Sequence, residues 1–293
     1  TPRLADQLET KTSRPSLACR ALAAGTAGSA SVLSLFCLAI SLALLGTSPA
    51  VHATTDRPDG TTYDFVYVTE WGATDVGVSA ARWRIAENQF FMSGEFNASG
   101  LAQLISDFAG YVSITAERHK ESWQGQQLVI ASNWGSDTSL AETKWSEGGH
   151  IATTLADPAP DLDEVYPIDA KMRTDVTDPF SAIMTMLDRL DAGKPCSGVF
   201  QIFDGRRRAE LGFSDLGSEE LAADRGFAFA GKAQVCGMVS RPLGGHRRNS
   251  RFTSDAPPDP NKTKAYIARL GPDLMVPVRI EMDLFFGLIV TRL

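Results

Sequence analysis

The chain has 293 residues, of which 28 are Lys or Arg and 35 are Asp or Glu, so that its formal net charge is −7 at pH 7. This length accommodates one large β domain or two domains of ordinary size. The excess of carboxylates argues against a general nucleic-acid-binding protein, because such proteins carry basic surfaces that neutralise phosphates.

Residues 1–53 have the layout of a secretory signal peptide. Arg14 and Arg20 precede an uncharged apolar run at residues 32–45, and the small-residue pattern Val-His-Ala follows at residues 51–53. A basic region, an apolar core and a small-residue site in this order predict cleavage after residue 53. The apolar run is shorter than the roughly 20 residues that a membrane-spanning helix needs, so an uncleaved anchor is the weaker alternative.

Cleavage at this position would leave residues 54–293 as the mature chain. The leader takes four basic and two acidic residues with it, and the mature chain then has a net charge of −9. Cys37 lies inside the apolar run, without the small residues that precede a lipoprotein cysteine. We therefore expect a periplasmic protein without an integral membrane segment after cleavage, with secretion from the cell as the alternative.

Two of the four cysteines, Cys196 and Cys236, lie in the predicted mature chain. An even pair in an oxidising compartment favours a disulfide. A bridge across about 40 residues would stabilise the fold by roughly 3 to 5 kcal/mol in the chain-entropy model. A catalytic thiol is the alternative, but a lone nucleophile would not need a second cysteine.

Alternating apolar and polar residues predict short antiparallel strands along most of the mature chain. The first three, from Tyr63 to Asn97, are joined by tight connections and form a predicted meander. Pro277 cannot donate a hydrogen bond to a ladder, so we expect an edge or a bulge there. Later strands are predicted at residues 111–121, 126–134, 140–147, 150–155, 199–203, 206–211, 227–240, 265–270, 275–283 and 287–293.

Two helices are predicted, one long and one short. Asp178 is a suitable N-cap for the long helix, Pro179 suits its first turn and Gly193 its end. Its apolar stripe consists of Phe180, Ile183, Met184, Leu187 and Leu190. Ser99 is the predicted cap of the short helix, whose apolar face is Leu101, Leu104, Ile105 and Phe108.

These elements predict a mainly β fold in one domain. About a dozen strands and one long helix favour a single large curled antiparallel sheet, or an open barrel, around that helix. No linker or internal repeat divides the mature chain.

Asp204-Gly205 predicts a hairpin with a two-residue type I′ turn, followed by three consecutive arginines. In that register Arg206 faces Phe203, and Arg206 and Arg208 share one side of the strand. These two arginines are therefore candidates for contact with an anion such as a phosphate or carboxylate headgroup. The alternative is that the arginines pair with the Asp-rich loop at residues 157–178.

A series of motifs follows in order along nearly all of the mature chain. The motifs are Gly72-Ala73-Thr74-Asp75-Val76-Gly77, Ser99-Gly100-Leu101, Asp178-Pro179-Phe180-Ser181-Ala182, Ala192-Gly193-Lys194-Pro195-Cys196, Phe203-Asp204-Gly205-Arg206-Arg207-Arg208, Cys236, Arg241-Pro242-Leu243-Gly244-Gly245-His246 and Val276-Pro277-Val278-Arg279-Ile280. Together they resemble one family, the exported bacterial proteins grouped as domain of unknown function 3108, with departures at Ala209 and His246, where aromatic residues are expected. The resemblance implies a β-rich periplasmic or secreted protein, similar to the half-barrels of lipoprotein carriers, and no assigned activity.

Motifs for catalysis are absent from the sequence. There is no G-x-S-x-G elbow, Gly-rich phosphate loop or H-E-x-x-H pattern. His119, His150 and His246 have no His or Cys partner at ligand spacing, and the acidic segment 161–164 lacks the Gly and distal Glu of a calcium loop. We predict no catalytic residue, metal or cofactor, and a hydrolase is only a third hypothesis.

Binding is the leading hypothesis. Aromatic side chains on a curled sheet line a predicted hydrophobic pocket, although the same residues could simply fill the core. We expect a non-enzymatic binder of a hydrophobic or amphipathic envelope component such as a lipid. The alternative is a structural or interaction protein with an unknown protein partner. The candidate pocket residues are Trp71, Trp83, Phe90 and Trp134, with Trp123, Trp145 and Phe91 as further candidates.

Overall fold

The computed structural model describes residues 52–55, 60–100, 102–103, 107–250, 258–272 and 274–293. All of them belong to one compact unit. The predicted leader, apart from residues 52 and 53, lies outside the described residues, and so do Leu101, Leu104 and Ile105 of the predicted short helix.

The described residues form fourteen strands, one α-helix with both ends described and two short 3-10 turns at Glu147–Gly149 and Ala170–Arg173. The helix, α1, is Pro179–Asp191. The strands are His52–Thr55 (β1), Thr61–Trp71 (β2), Thr74–Ile85 (β3), Gln89–Ala98 (β4), Phe108–His119 (β5), Ser122–Trp134 (β6), Asp137–Ser146 (β7), His150–Asp157 (β8), Gly198–Phe203 (β9), Arg208–Leu221 (β10), Gly231–Gly244 (β11), Thr263–Arg269 (β12), Met275–Leu284 (β13) and Gly287–Arg292 (β14).

All the strands belong to one antiparallel sheet that does not close into a continuous ladder. Its order is β8-β7-β6-β5-β4-β3-β2-β14-β13-β12-β11-β10-β9, and β1 pairs with the first half of β2. Two meanders, β2 to β8 and β9 to β14, therefore join where β14 pairs with β2. The predicted fold class, a mainly β protein with one large antiparallel sheet and one long helix, is confirmed.

Pro277 lies at a bulge, which is one of the two predicted alternatives. It pairs with Ile267, while Arg279 pairs with the preceding residue Tyr266, so that one residue of β13 is left over between them. β13 is an interior strand of the sheet, which excludes the edge alternative. The bulge removes the need for a ladder hydrogen bond at the proline nitrogen.

The predicted long helix is confirmed together with both of its ends. Asp178 Oδ1 accepts hydrogen bonds from the backbone N–H groups of Phe180 and Ser181, at 2.8 and 2.9 Å. Pro179 occupies the first turn, and Gly193 follows the helix with a φ of 73°. Asp178 therefore marks the start of the helix. Pro179 is tolerated directly after it, because a proline breaks a helix only beyond the first turn.

Burial of α1 extends beyond its predicted apolar stripe. Ser181 and Thr185 are also buried, with 0% and 1% of their surfaces exposed. Thr185 accepts a hydrogen bond from the backbone of Trp123 at 2.8 Å and donates one to the Ser181 carbonyl at 2.8 Å. The helix therefore packs inside the curled sheet, in contact with β6, β9 and β13.

A row of aromatic side chains crosses the core beside α1. The ring centroids of Phe65 and Trp83 are 4.9 Å apart, those of Trp83 and Phe90 6.0 Å, and those of Phe90 and Trp123 5.9 Å. These spacings are typical of favourable edge-to-face aromatic pairs. All four residues are buried, so they fill the space between the sheet and the helix.

Residues 176–178 connect the two ends of the sheet. The Thr177 N–H donates to the Gln201 carbonyl at 3.0 Å, and the Phe203 N–H donates to the Thr177 carbonyl at 2.8 Å. On the opposite side the Val176 N–H donates to the Gly149 carbonyl at 3.0 Å. This segment thus occupies the place of a strand between β9 and the start of β8.

The predicted register of the hairpin at Asp204 is wrong. Arg208 pairs with Phe203, so the connection contains four residues, 204–207, and not two. Asp204 Oδ1 accepts hydrogen bonds from the backbone N–H groups of Arg206 and Arg207, at 3.0 and 2.7 Å. This side-chain turn competes with the type I′ turn and widens the loop. Arg206 consequently lies in the loop and Arg208 in β10.

Phe108 was predicted on the apolar face of the short helix, but it is the first residue of β5. Among the described residues of the predicted helix, Ala102 and Gln103 are helical. Apolar spacing alone did not distinguish the end of a short helix from the start of the following strand.

The buried cap of α1 predicts a pH dependence of stability. Asp178 is 0% exposed and its Oδ2 atom has no partner among the described residues. Burial raises its pKa to about 6, although hydrogen bonds from Ser181 and Phe180 oppose the rise. The folded protein therefore binds this proton more tightly than the unfolded chain. Lowering the pH from about 7.5 to about 5 should raise the contribution of Asp178 to the free energy of unfolding by about 1 kcal/mol.

Urea unfolding of the wild-type protein and Asp178→Asn at both pH values measures this contribution. Other carboxylates cancel in the comparison, and Asp163→Asn, in an exposed loop, is the control. Wild type should gain stability relative to Asp178→Asn on acidification, whereas the difference between wild type and the control should stay constant. An unchanged difference between wild type and Asp178→Asn would contradict the assignment.

Candidate functional site

The four predicted pocket residues do not lie together. Trp83 and Phe90 are buried in the aromatic row of the core, with 7% and 1% exposure, whereas Trp71 and Trp134 are 50% and 36% exposed. Trp71 ends β2 and Trp134 ends β6, so both lie on the same rim of the sheet, separated by four strand spacings or about 19 Å along it. Two of the predicted pocket residues therefore lie in the core and the other two lie on the rim.

Trp71 belongs to an exposed apolar patch that we call the aromatic rim surface, formed by Trp71, Phe285, Phe286 and Leu288. Phe285, in the turn between β13 and β14, is 70% exposed, and Leu288 is 44% exposed. The Trp71 Nε1–H donates to the Phe286 carbonyl at 3.1 Å, and the two rings meet edge to face at 5.8 Å. Phe285 and Phe286 also meet edge to face, at 5.0 Å. The patch is therefore an ordered surface built from two turns.

Gly287 permits this close approach of the two turns. Its φ is 130°, and a Cβ atom built on it would lie 2.8 Å from Trp71 Nε1. Any side chain here would displace the indole ring. Carboxylates of Asp75 and Asp283 are exposed at the ends of the neighbouring strands. The patch is thus apolar at its centre and acidic at its margin.

A second aromatic cluster lies on the same rim. Phe108 is 5.2 Å from Phe96 and 5.8 Å from Trp134, measured between ring centroids. Phe108 is buried and Trp134 is partly exposed. This cluster lies at the ends of β4, β5 and β6, and its exposed surface comes from Trp134 and the half-buried Phe96.

Arg206 uses its guanidinium group to hold the end of the β7–β8 pair. Its Nη2 atom donates to the carbonyls of Leu140 and Asp157, at 3.0 and 2.9 Å, and its Nη1 atom donates to that of Pro158 at 2.9 Å. Gly205 precedes it with a φ of 93°, and a Cβ atom there would lie 2.8 Å from that of Ala141. The hairpin tip is therefore packed tightly against β7.

Arg208 is 6% exposed and also binds oxygen atoms of the protein. It donates to the Met172 carbonyl at 3.1 Å, to the Ala209 carbonyl at 2.7 Å and to Gln201 Oε1 at 2.5 Å. Burial lowers the pKa of both Arg206 and Arg208 from the ordinary value. The structure thus gives both predicted anion-contact residues internal hydrogen-bond partners and does not bring their guanidinium groups onto one open surface.

The loop at residues 157–178 supplies partners for Arg206, Arg208, Arg247 and Arg248, partly through its backbone. Arg206 binds carbonyls at its start and Arg208 the Met172 carbonyl near its end. Arg247 forms an ion pair with Glu164 at 3.5 Å, and Arg248 stacks over Tyr166 with its guanidinium carbon 4.8 Å from the ring centroid. This arrangement fits the alternative interpretation of the arginines, with carbonyls in place of most carboxylates.

Cys196 and Cys236 form a disulfide, with Cα atoms 5.8 Å apart. Both residues are completely buried. The bond joins the start of β9 to β11, two strands that are separated by β10. It therefore fixes the turn that follows α1 onto the sheet.

An open concavity of about 360 Å³ lies beside this disulfide. Its polar lining groups already pair with one another or with neighbours: Gln234 Nε2 donates to Asp215 Oδ1 at 2.8 Å, and Lys194 Nζ donates to Glu121 Oε2 at 2.9 Å. No sequence motif indicated this concavity, because its lining comes from four separate segments. The lining residues are Leu190, Gly193, Lys194, Pro195, Asp215, Gln234 and Met275.

A network of charges around the buried residues Glu70 and Arg292 is the other feature that the sequence did not reveal. Glu70 is 2% exposed and binds Arg292, and Arg225 Nη2 lies 2.5 Å from its Oε1 atom. Arg292 Nη2 donates to Asp224 Oδ2 at 2.9 Å, and Arg279 lies 3.7 Å from the same carboxylate. The network anchors the connection between β10 and β11 against the β2–β14 pair. The residues that compose it are up to 222 positions apart in sequence.

Within the described part of the chain, no group of three or more His, Cys, Asp or Glu side chains is placed to hold a metal ion. None of the helices in that part is long and apolar enough to cross a membrane.

The contacts of Arg206 predict a role in stability. Arg206→Ala should lower the free energy of unfolding by about 1 to 3 kcal/mol, because three backbone carbonyls would lose hydrogen bonds from a charged donor. Arg82→Ala is a matched control, since Arg82 is mainly exposed and pairs with Asp64 at the surface. Such exposed pairs contribute about 0 to 1 kcal/mol. Urea unfolding measures both changes, and equal losses in the two variants would contradict the proposed role.

Comparison with known proteins identifies the family but gives no activity. The structure is similar to that of a β-barrel-like protein of domain of unknown function DUF1849 from Brucella abortus, with a TM-score of 0.46 and 8% identity over 84% of this chain and 97% of that chain. No curated protein matches the sequence. The model of the family of proteins of unknown function DUF3108 matches residues 66–293, as the sequence motifs predicted. The chain belongs to that family.

Proposed function

We propose that this protein is an exported, non-enzymatic binding protein for a hydrophobic or amphipathic component of the cell envelope, such as a lipid. The observation that carries the proposal is the aromatic rim surface. Contiguous exposed apolar side chains on a folded protein mark binding sites more often than isolated ones do. Here two phenylalanines and a tryptophan are held together by a hydrogen bond and ring contacts, and the backbone carbonyl of Leu288 accepts a hydrogen bond from Gly72, the residue after Trp71.

The ligand would contact the rim and would not enter the interior. Phe65, Trp83, Phe90 and Trp123 fill the space beside α1, and each of them is less than 8% exposed. Full burial of a large apolar side chain contributes about 1.5 to 3 kcal/mol. Four side chains that are 38 to 70% exposed therefore offer several kcal/mol of apolar contact.

The charges around the patch favour a neutral or zwitterionic ligand. Asp75 and Asp283 are exposed beside it, and the whole chain has a net charge of −7. An anionic membrane surface would be repelled by this charge. Tryptophan and phenylalanine at the patch suit the boundary between acyl chains and headgroups.

The periplasm is the proposed location. The basic, apolar and small-residue regions of residues 1–53 support export, and the disulfide between Cys196 and Cys236 suits an oxidising compartment. A protein-interaction role is the second candidate function, and it is favoured by a separate feature, the edge strand β8, whose outer side pairs with no other strand of the described chain.

Phe285→Ser tests the lipid-binding proposal, with Leu162→Ser as a matched control. Phe285 is 70% exposed in the aromatic rim surface, and Leu162 is 73% exposed in the loop after β8. Both changes should leave the free energy of unfolding within about 0.5 kcal/mol of wild type. Binding to phosphatidylcholine vesicles, measured by flotation, should weaken about 3- to 10-fold in Phe285→Ser and stay unchanged in the control.

Native mass spectrometry of the protein purified from the periplasm provides the independent measurement. A lipid that survives desalting, and that Phe285→Ser loses, would support the proposal. Absence of bound lipid together with absence of vesicle binding would contradict it. Recovery of the protein from the cytoplasm with an intact leader would contradict the proposed location.

A further inference from the structure

One edge of the sheet, β8, keeps its outer hydrogen-bonding groups available. β8 is the terminal strand of the sheet and pairs only with β7. Between Ile151 and Ala156, the described residues supply no backbone hydrogen-bond partner other than β7. Ala152, Thr153, Thr154 and Leu155 are all exposed. The Thr154 hydroxyl donates to the Gly205 carbonyl at 3.3 Å, so the hairpin tip contacts one side chain of this strand but not its outer backbone groups.

The opposite edge is protected. On β9, Thr177 exchanges hydrogen bonds with Gln201 and Phe203, so residues 176–178 occupy the place of a further strand. The start of β8 is tied at Gly149 by Val176, and its end is held at Asp157 by Arg206. Between these two ties, the outer edge of β8 has no backbone partner among the residues that the structure describes.

The composition of this free edge favours pairing with another strand. Residues 151–156 contain no charged residue and no proline, which are the usual means of blocking an exposed edge. A register shift occurs between Lys144 and Trp145, but residues 153–157 of β8 keep a regular register with residues 140–144 of β7. The regular part is thus long enough to accept four or five residues of a partner strand.

We propose that β8 pairs antiparallel with β8 of a second copy of this chain, with the two-fold axis at Leu155. In that register Leu155 faces its own copy, Thr153 faces Asp157 of the second copy and Thr154 faces Ala156. Thr153, Leu155 and Asp157 lie on one face of the strand, the face of Glu142, because Thr154 pairs with Thr143 on the other. The central apolar pair would bury a leucine that is 52% exposed in the single copy.

Self-pairing suits this strand because the two-fold register opposes no like charges. Each Asp157 carboxylate meets a threonine hydroxyl, and the two carboxylates lie about four residues apart along the strands. Cross-strand apolar and hydroxyl pairs of this kind are favourable by roughly 0.2 to 1 kcal/mol each. The contact is isologous, so it closes at two copies and does not propagate into a fibre.

The proposed dimer should be weak. A pairing of four or five residues buries less surface than the roughly 1,200 Å² at which stable interfaces begin. The dimer should therefore form and dissociate with protein concentration. This inference does not depend on lipid binding, because β8 and the aromatic rim surface consist of different residues.

Sedimentation velocity across the micromolar to millimolar range tests the proposal on the full chain. Wild type should show a concentration-dependent dimer, and Leu155→Lys should weaken it at least about 10-fold, because a lysine on the edge opposes its own copy. Leu162→Lys changes an exposed leucine outside the sheet and should dimerise as wild type does. Unchanged urea unfolding of both variants would show that the fold is intact.

A cysteine at position 155 gives a second measurement. In a background with Cys19→Ser and Cys37→Ser, oxidised Leu155→Cys should form a covalent dimer, because residue 155 faces itself across the two-fold axis. Val199→Cys, 65% exposed on β9, should stay monomeric. A protein that stays monomeric at every concentration would overturn the proposal. This includes a monomer in which β8 pairs with a copurifying peptide. So would a dimer that Leu155→Lys leaves intact.

Discussion

The hydrogen bonds of residues 176–178 hold the two ends of the sheet together, and much of the structure depends on them. The thirteen strands in the main order of the sheet begin at β8 and end at β9, without a ladder between these two. Thr177 binds β9 through its backbone, while its Oγ1 atom accepts a hydrogen bond from the Gly125 N–H of β6 at 3.1 Å. The next residue, Asp178, caps α1. One short segment therefore closes the sheet and directs the helix into its interior.

Local signals in the sequence were sufficient for most of the strands, the ends of the long helix and the family. Asp178, Pro179 and Gly193 determine α1 through interactions within one turn, and alternation of apolar residues locates most strands. The hairpin register could not be predicted, because the Asp204 side chain binds two backbone N–H groups and widens the loop. Residue type alone did not show which tryptophans are buried. Trp71 is the last residue of β2 and is half exposed, whereas Trp83 is buried against Phe65 and Phe90, and this difference depends on how several strands pair. Likewise, Glu70 and Arg292 meet only because the last strand pairs with β2.

The filled interior leads us to propose recognition on the outer surface. α1 and four aromatic residues occupy the space inside the sheet. Two surfaces suit this proposed recognition by different physical means: the aromatic rim surface offers apolar area, and β8 offers backbone hydrogen bonds. The arginines that suggested an anion site instead bind carbonyls and attach the β9–β10 hairpin to β7 and β8.

Amide hydrogen exchange of the native protein tests the closure of the sheet most directly. If residues 176–178 join the two ends, the amides of Thr177 and Phe203 exchange only through global unfolding, as slowly as the central amides of β5 and β6. The same amides should become fast in a variant that loses this segment's contact with β6, such as Thr177→Val. Exchange of Thr177 and Phe203 in the wild type at the rate of exposed amides in β8 would contradict the account, because the sheet would then be open between β8 and β9.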